Sequence, residues 1–143
     1  MHTRGRPEEW RKLPKEPQMV QVVLHDLANA VQSATGAGVS RNHIVLDPGF
    51  GFGKNFEDNY PLLAHFDELQ QLGLPLLAGT SRKGFIGRTL ARAGEDAAPA
   101  ERLFGTLASV TACILKGAHI VRVHDVRAAR DAALVADAIL NAE

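Results

Sequence analysis

The sequence predicts an α/β fold built on parallel strands, and three observations carry that prediction. Three short apolar runs, His43–Asp47, Leu74–Ala78 and Ala118–Val123, are continuous rather than alternating, which is the pattern of strands covered on both faces. Each run is followed by glycine or polar punctuation and then by a stretch of helical periodicity. Parallel neighbours need long crossovers, and the intervening helices supply them. A closed eight-stranded barrel takes roughly 250 residues, so 143 residues suit either a compact three-layer domain or part of a barrel.

The elements follow in order. Residues 1–17 carry three prolines and many charges without periodicity and read as an exposed loop; residues 18–143 read as one helix and three strand–helix units. Val20, Val23, Leu24, Leu27, Val31 and Ala34 recur at three- and four-residue steps, and Gly36 and Gly38 stop that helix. After the first strand comes a glycine-dense loop, Pro48–Asn55. A helix bearing Leu62, Leu63, Phe66 and Leu69 follows, with Pro61 expected in its first turn and Gly73 at its end. The second strand leads through Gly79–Gly84 into a short helix near Phe85–Arg92, then a surface loop over Gly94–Ala98. Pro99 opens a longer helix with the stripe Leu103, Leu107, Val110 and Ile114, stopped by Gly117. Past the third strand, Asp125 is placed to cap the last helix, with Ala132, Val135, Ala136 and Ile139 on its inner face.

Composition narrows the classes of function. Hydrophobic residues make up 45% and charged ones 22%, a mix that buries a core. Sixteen basic and sixteen acidic residues cancel, so no global field draws the chain to nucleic acid or an anionic membrane. Cys113 is the single cysteine, which excludes an internal disulfide and a multi-cysteine zinc site and agrees with a cytoplasmic setting. Met1–Glu16 has no signal-peptide pattern, and no apolar run reaches the ~20 residues of a membrane span.

Ligands of parallel α/β folds gather at the carboxyl ends of the strands. Here those ends read Asp47-Pro48-Gly49-Phe50-Gly51-Phe52-Gly53-Lys54, Gly79-Thr80-Ser81-Arg82-Lys83-Gly84 and Arg122-Val123-His124-Asp125. Asp47 closes an apolar strand, where a carboxylate needs partners: either the paired N–H donors of a ligand, such as the 2-amino and ring N–H edge of a pterin, or the turn that follows it. The alternating glycines let backbone approach a ligand, and Phe50 and Phe52 offer flat faces or serve as core plugs. Lys54 reads as a solvated or salt-bridged lysine. The loop is not a Walker loop, because Pro48 and Asn55 stand where glycine and Ser or Thr are required, and Lys54 occupies the third glycine of the dinucleotide pattern.

Ser81, Arg82 and Lys83 stand at a helix start, where they either receive an anion such as a carboxylate or act as cap and surface charge. Lys83 can also hydrogen-bond a ring carbonyl or nitrogen from the side opposite Asp47. Arg122 and His124 alternate with Val123 and so point to one side, either as a clamp for phosphate oxygens or with Arg122 paired to Asp125.

Taken in order and spacing, these three motifs resemble the dihydropteroate synthase family, and Met1-His2-Thr3-Arg4-Gly5 looks like that family's segment at the tip of barrel strand five. The resemblance covers nearly the whole chain and implies a partial (β/α)8 barrel, carboxy-terminal half only, holding strands six to eight with their helices. It implies condensation of 6-hydroxymethyl-7,8-dihydropterin diphosphate with p-aminobenzoate to give dihydropteroate and diphosphate, in folate biosynthesis, at a site targeted by sulfonamides. Carried over residue by residue, Asp47 and Lys83 hold the pterin, Gly79 and Met1 lie against it, Phe52 and Ser81 flank p-aminobenzoate, Arg122 with His124 bind diphosphate, and Gly51 and Arg82 are further expected substrate-binding residues. Lys83, Arg122 and His124 are the expected catalytic residues. The family's Mg²⁺ is supported by a strand-one motif resembling Asn-x-Thr-x-Asp-Ser-Phe, which is not among these residues, so no metal ligand is expected here. The resemblance further implies a homodimer, an exposed edge on the first strand, and weak or no turnover by this chain alone. A non-catalytic pterin-binding module and a methyltetrahydrofolate-type methyltransferase are the competing readings.

Overall fold

The computed structural model describes residues 1–142; Glu143, the last residue of the predicted strand–helix unit, lies outside them. Among the described residues, five α-helices and two short strands follow one another as α1 (Met19–Gly36), α2 (Phe56–Ala64), β1 (Leu77–Ala78), α3 (Gly84–Thr89), α4 (Leu103–Leu115), β2 (Ile120–Val121) and α5 (Val126–Leu140). β1 and β2 run parallel, with Leu77 opposite Ile120 and Ala78 opposite Val121.

The first predicted strand contracts to a single parallel bridge between Leu46 and Leu76. Its backbone groups are spent elsewhere. Residues 41–43 turn into a 3₁₀ helix whose Arg41 carbonyl takes the Ile44 N–H, and the Asp47 carbonyl accepts the N–H of His2 at 2.8 Å. Only Leu46 keeps ladder bonds, to Pro75 at 2.9 Å and from Leu77 at 2.7 Å. Pro75 has no N–H with which to lengthen the ladder. The three chain segments therefore stand in sequence order, with their carboxyl ends on one side.

The amino-terminal segment departs from the exposed loop expected of it. His2 is buried, and Arg4 donates its N–H to the Phe52 carbonyl at 3.3 Å, so residues 2–4 lie along the first strand end and its loop. The expected exposed edge is covered there, although Val45 stays 44% exposed.

The main core gathers Val23, Leu24, Leu27 and Val31 of α1 with Leu46, Leu62, Phe66, Leu69, Leu76, Ala78 and Cys113. Burial holds the Cys113 thiol far above its ordinary range, at about 12, so it is a packing residue. Pro61 falls in the second turn of α2 rather than the first, because the helix already begins at Phe56. Glu57, whose carbonyl would have received the missing N–H, is exposed, and the helix passes at once into a 3₁₀ stretch, Phe66–Leu72.

A smaller core joins Val110 and Ile114 of α4 to Ala136 of α5, with Val121, Val123 and Ala133 packed on it. The predicted inner face of α5 is therefore rotated. Ala129 and Ala136 are buried, whereas Val135 and Ile139 are 61% and 55% exposed. Alanines let α4 and α5 approach closely, and the larger side chains are left outside.

Candidate active site

Asp47 and its loop form the first wall. One carboxylate oxygen of Asp47 accepts the Gly49 N–H at 2.7 Å, the turn contact that sequence left open, while the other faces the Arg122 guanidinium at 3.9 Å. Phe50 is a core plug, stacked 6.2 Å from Phe66. Phe52 instead faces the site: its ring meets the edge of Trp10 at 5.4 Å and carries the Lys83 ammonium 3.9 Å from its centroid. Gly51 lies under the Lys83 stem, 3.3 Å from where a Cβ would stand. Met1 is exposed and rests beside Gly49.

The second wall is the turn after β1. Arg82 adopts a left-handed backbone, φ 56°, which is unfavourable for a residue with a side chain. Three contacts hold it there. Its N–H donates to the Thr106 hydroxyl at 3.0 Å, its carbonyl accepts from Arg102 at 2.8 Å, and its guanidinium grips both oxygens of Asp125 at 2.7 and 3.1 Å. Asp125 is thus committed to Arg82 and does not cap α5 through its side chain, and Arg122 is not its partner. The Arg82 contact, a charge-assisted hydrogen bond, keeps the Asp125 carboxyl below the usual range.

Ser81 ties this turn to the third strand end. Its hydroxyl accepts the His124 backbone N–H at 3.2 Å and lies 2.9 Å from His124 Nδ1. Ser81 thus holds both the backbone and the Nδ1 side of His124, which leaves Nε2 free to face a ligand. Arg122 crosses Gly79: a Cβ at that position would lie 2.9 Å from the guanidinium, which would have to shift to make room for it.

Of the residues expected in the site, Asp47, Gly51, Phe52, Gly79, Lys83 and Arg122 come together directly, and Ser81 with His124 forms a hydrogen-bonded pair beside them. Arg82 is drawn away to Asp125 and acts on the site through its backbone. The electrostatics favour an anion. Lys83 is pushed below its ordinary pKa by burial first and by Arg122 second, against the pull of Asp47.

Sequence reasoning missed Lys54, His2, Asp26 and Trp10. Lys54 is only 7% exposed and donates to the Gly49 carbonyl at 2.8 Å and to His2 Nδ1 at 2.9 Å. No local pattern announces that burial, because its partners lie at the opposite end of the glycine loop and at residue 2. Among the described residues no cluster of three or more His, Cys, Asp or Glu side chains is placed to hold a metal ion.

Comparison with known proteins decides the family. The profile described as pterin binding enzyme matches residues 1–124. The chain belongs to the pterin-binding enzyme family. Within it, the chain is 40% identical to the dihydropteroate synthase of Escherichia coli K12 across all 143 residues, which are 49% of that protein. The dihydropteroate synthase of Bacillus subtilis is 45% identical over 83% of the chain and 40% of its own length. Among solved structures, a Yersinia pestis dihydropteroate synthase with a sulfonamide drug complex superposes with a TM-score of 0.92 at 35% identity, covering 99% of this chain and 50% of that one. A Xanthomonas albilineans dihydropteroate synthase in complex with 7,8-dihydropteroate gives 0.84 at 38% identity over 91% of this chain and 48% of that one.

The chain thus spans about half the length of the relatives it matches, and the matched part is their carboxy-terminal half. The chain is α/β, a partial barrel whose small parallel sheet does not close. The choice left open between a compact three-layer domain and part of a barrel falls to the barrel.

Proposed function

We propose that this site serves the dihydropteroate synthase reaction in the cytoplasm. The amine of p-aminobenzoate attacks the methylene of 6-hydroxymethyl-7,8-dihydropterin diphosphate. A C–N bond forms, the C–O bond breaks, the diphosphate leaves with the electron pair, and the amine gives up a proton. The observation that carries this reading is the arrangement across Gly79: one carboxylate, Asp47, and the cations Lys83 and Arg122 meet at three neighbouring strand ends.

In this reading Asp47 accepts the paired N–H groups of the pterin, and Lys83 binds the ring's acceptor edge from the other side. Gly51, Gly79 and Met1 give the ring close passage. Phe52 and Ser81 flank p-aminobenzoate, and Arg82 holds the turn in place. Arg122 and the His124 ring stabilise the charge that develops on the departing diphosphate. Orientation and leaving-group stabilisation then supply the rate, with no protein nucleophile.

The residues present do not fit Mg²⁺. Asp47 faces Arg122 and Asp125 is bound by Arg82, so neither carboxylate is free for a divalent cation, and no step here runs through one. The exposed apolar residues Phe104 of α4 and Val126, Leu134, Val135, Ile139 and Leu140 of α5 support a homodimer, which sedimentation would test.

The experiment is calorimetric titration of the chain with 6-hydroxymethylpterin. Binding is expected, and Asp47→Asn should weaken it by at least roughly tenfold, the loss of charge-assisted hydrogen bonds. Equal binding by the variant would remove the assignment. Turnover with p-aminobenzoate, measured alone and after mixing with the amino-terminal half of a relative, tests the reaction itself.

A further inference from the structure

We infer that Lys54 is a positioning residue, the pin that fixes the glycine-rich loop between Asp47 and Phe52 against the amino-terminal segment and so sets the geometry of the site. The inference stands on hydrogen-bond geometry; only its consequence for ligand affinity rests on the pterin reading above.

An ammonium has three protons, and Lys54 has three acceptors within reach: the Gly49 carbonyl at 2.8 Å, the Phe52 carbonyl at 3.4 Å and His2 Nδ1 at 2.9 Å. None is left for a ligand, so Lys54 acts through the loop. His2 passes the connection on, its Nε2 lying 3.1 Å from an Asp26 carboxylate oxygen on α1. Because Nδ1 accepts from Lys54, the proton of the neutral ring sits on Nε2 and is donated to Asp26.

The backbone shows what the pin holds. His2 donates its N–H to the Asp47 carbonyl and Arg4 its N–H to the Phe52 carbonyl, one contact on each side of Gly49 in the chain. Between them lie Gly49 and Gly51, glycines being the residues with the most backbone freedom to lose. Asn59 pins the loop once from the α2 side, accepting the Gly51 N–H at 2.8 Å. Without Lys54, the Gly49 carbonyl would keep only the Phe52 N–H at 3.1 Å, and the loop would lose its side-chain link to His2.

The charged groups around Lys54 are Asp47 and Asp58, which favour the ammonium, and Lys83 and Arg4, which oppose it. Burial outweighs them and lowers its pKa to about 8. At neutral pH the three-proton form that fits three acceptors is therefore still the major one.

Two measurements test the pin, and neither needs a ligand. Imidazole ¹⁵N shifts of the wild-type chain should show His2 as the Nε2–H tautomer with Nδ1 accepting; an Nδ1–H tautomer overturns the inference. Lys54→Met should then speed amide exchange at residues 2–4 and 49–53 by about 10- to 100-fold while leaving α4 and α5 unchanged. Unaltered exchange in the loop, or an equal rise everywhere, also overturns it. Should Lys54→Met not fold, Asp26→Asn, at a half-exposed carboxylate, should loosen the same amides to a smaller degree, and no change there counts against the pin. Titration with 6-hydroxymethylpterin separates the two readings: failure of the wild-type chain to bind removes the pterin assignment, whereas wild-type binding with loop exchange unmoved in Lys54→Met removes the pin.

Discussion

The carbonyl oxygen of His2 lies 1.9 Å from where a Cβ on Gly49 would stand, and that of Arg4 lies 1.9 Å from the same point on Gly53. Both glycines also have positive φ, so a side chain there is both strained and obstructed by backbone. Gly49→Ala and Gly53→Ala are expected to cost about 1–3 kcal/mol or more each, measured by urea unfolding. Gly36→Ala, at the end of α1 with nothing within 4 Å of its Cβ, should be neutral or stabilising. The contrast shows what the sequence can and cannot disclose at this scale. A glycine-rich loop after a strand is legible as a place of close approach, but two of its three glycines yield to the chain's own first residues, and the third to Lys83. The burial of Lys54 was illegible for the same reason, since it depends on an acceptor 52 positions away in the sequence.

Elements were legible where composition punctuates them and illegible where packing decides. Apolar runs bounded by glycine placed all three strand ends, which is why most of the expected site residues meet. Strand length depends on where partners find donors, and Pro75 with the 3₁₀ turn at Arg41–His43 shortened the first one. The face of α5 was misread because hydrophobicity was weighed without size, and the alanines decide the approach to α4. The turn between β1 and α3 carries the prediction at this scale. Arg82 holds its left-handed φ only while Asp125, Thr106 and Arg102 grip it, and that backbone sets Ser81 and Lys83 on its two sides. Asp125→Asn keeps the shape and removes the charge, so the turn should relax. Inorganic diphosphate affinity, measured by calorimetry, should fall roughly two- to fivefold, and restoring it by a compensating change at Arg82 alone is not expected. An unchanged affinity would mean that Thr106 and Arg102 suffice.

At the scale of the whole molecule, the buried bases set how stability responds to pH. His2 is held below its ordinary 6.5 by burial first and by the Lys54 ammonium second, with Asp26 opposing. Between its folded pKa and that of the unfolded chain, the unfolded state binds more protons, so stability rises with pH through that window and is lost on acidification below about 6.5. The carboxyls of Asp67 and Asp125, held low chiefly by hydrogen bonds from Lys116 and Arg82, lose their contribution only as pH falls below the carboxylate range. A decline in urea midpoint from pH 7 to pH 5 therefore belongs to His2, and His2→Gln should flatten it; an equal decline in the variant would assign the loss elsewhere. Lys54 acts at the other end. Its pKa falls from 10.5 to about 8, so the unfolded chain again binds more protons above pH 8, and global stability should rise there by as much as roughly 3 kcal/mol. The same deprotonation leaves two N–H donors for three acceptors and should loosen the glycine loop. Stability and pterin affinity are thus expected to move in opposite directions between pH 8 and pH 10, and both trends should shrink in Lys54→Met to the part contributed by Lys83, which burial also holds below its ordinary pKa.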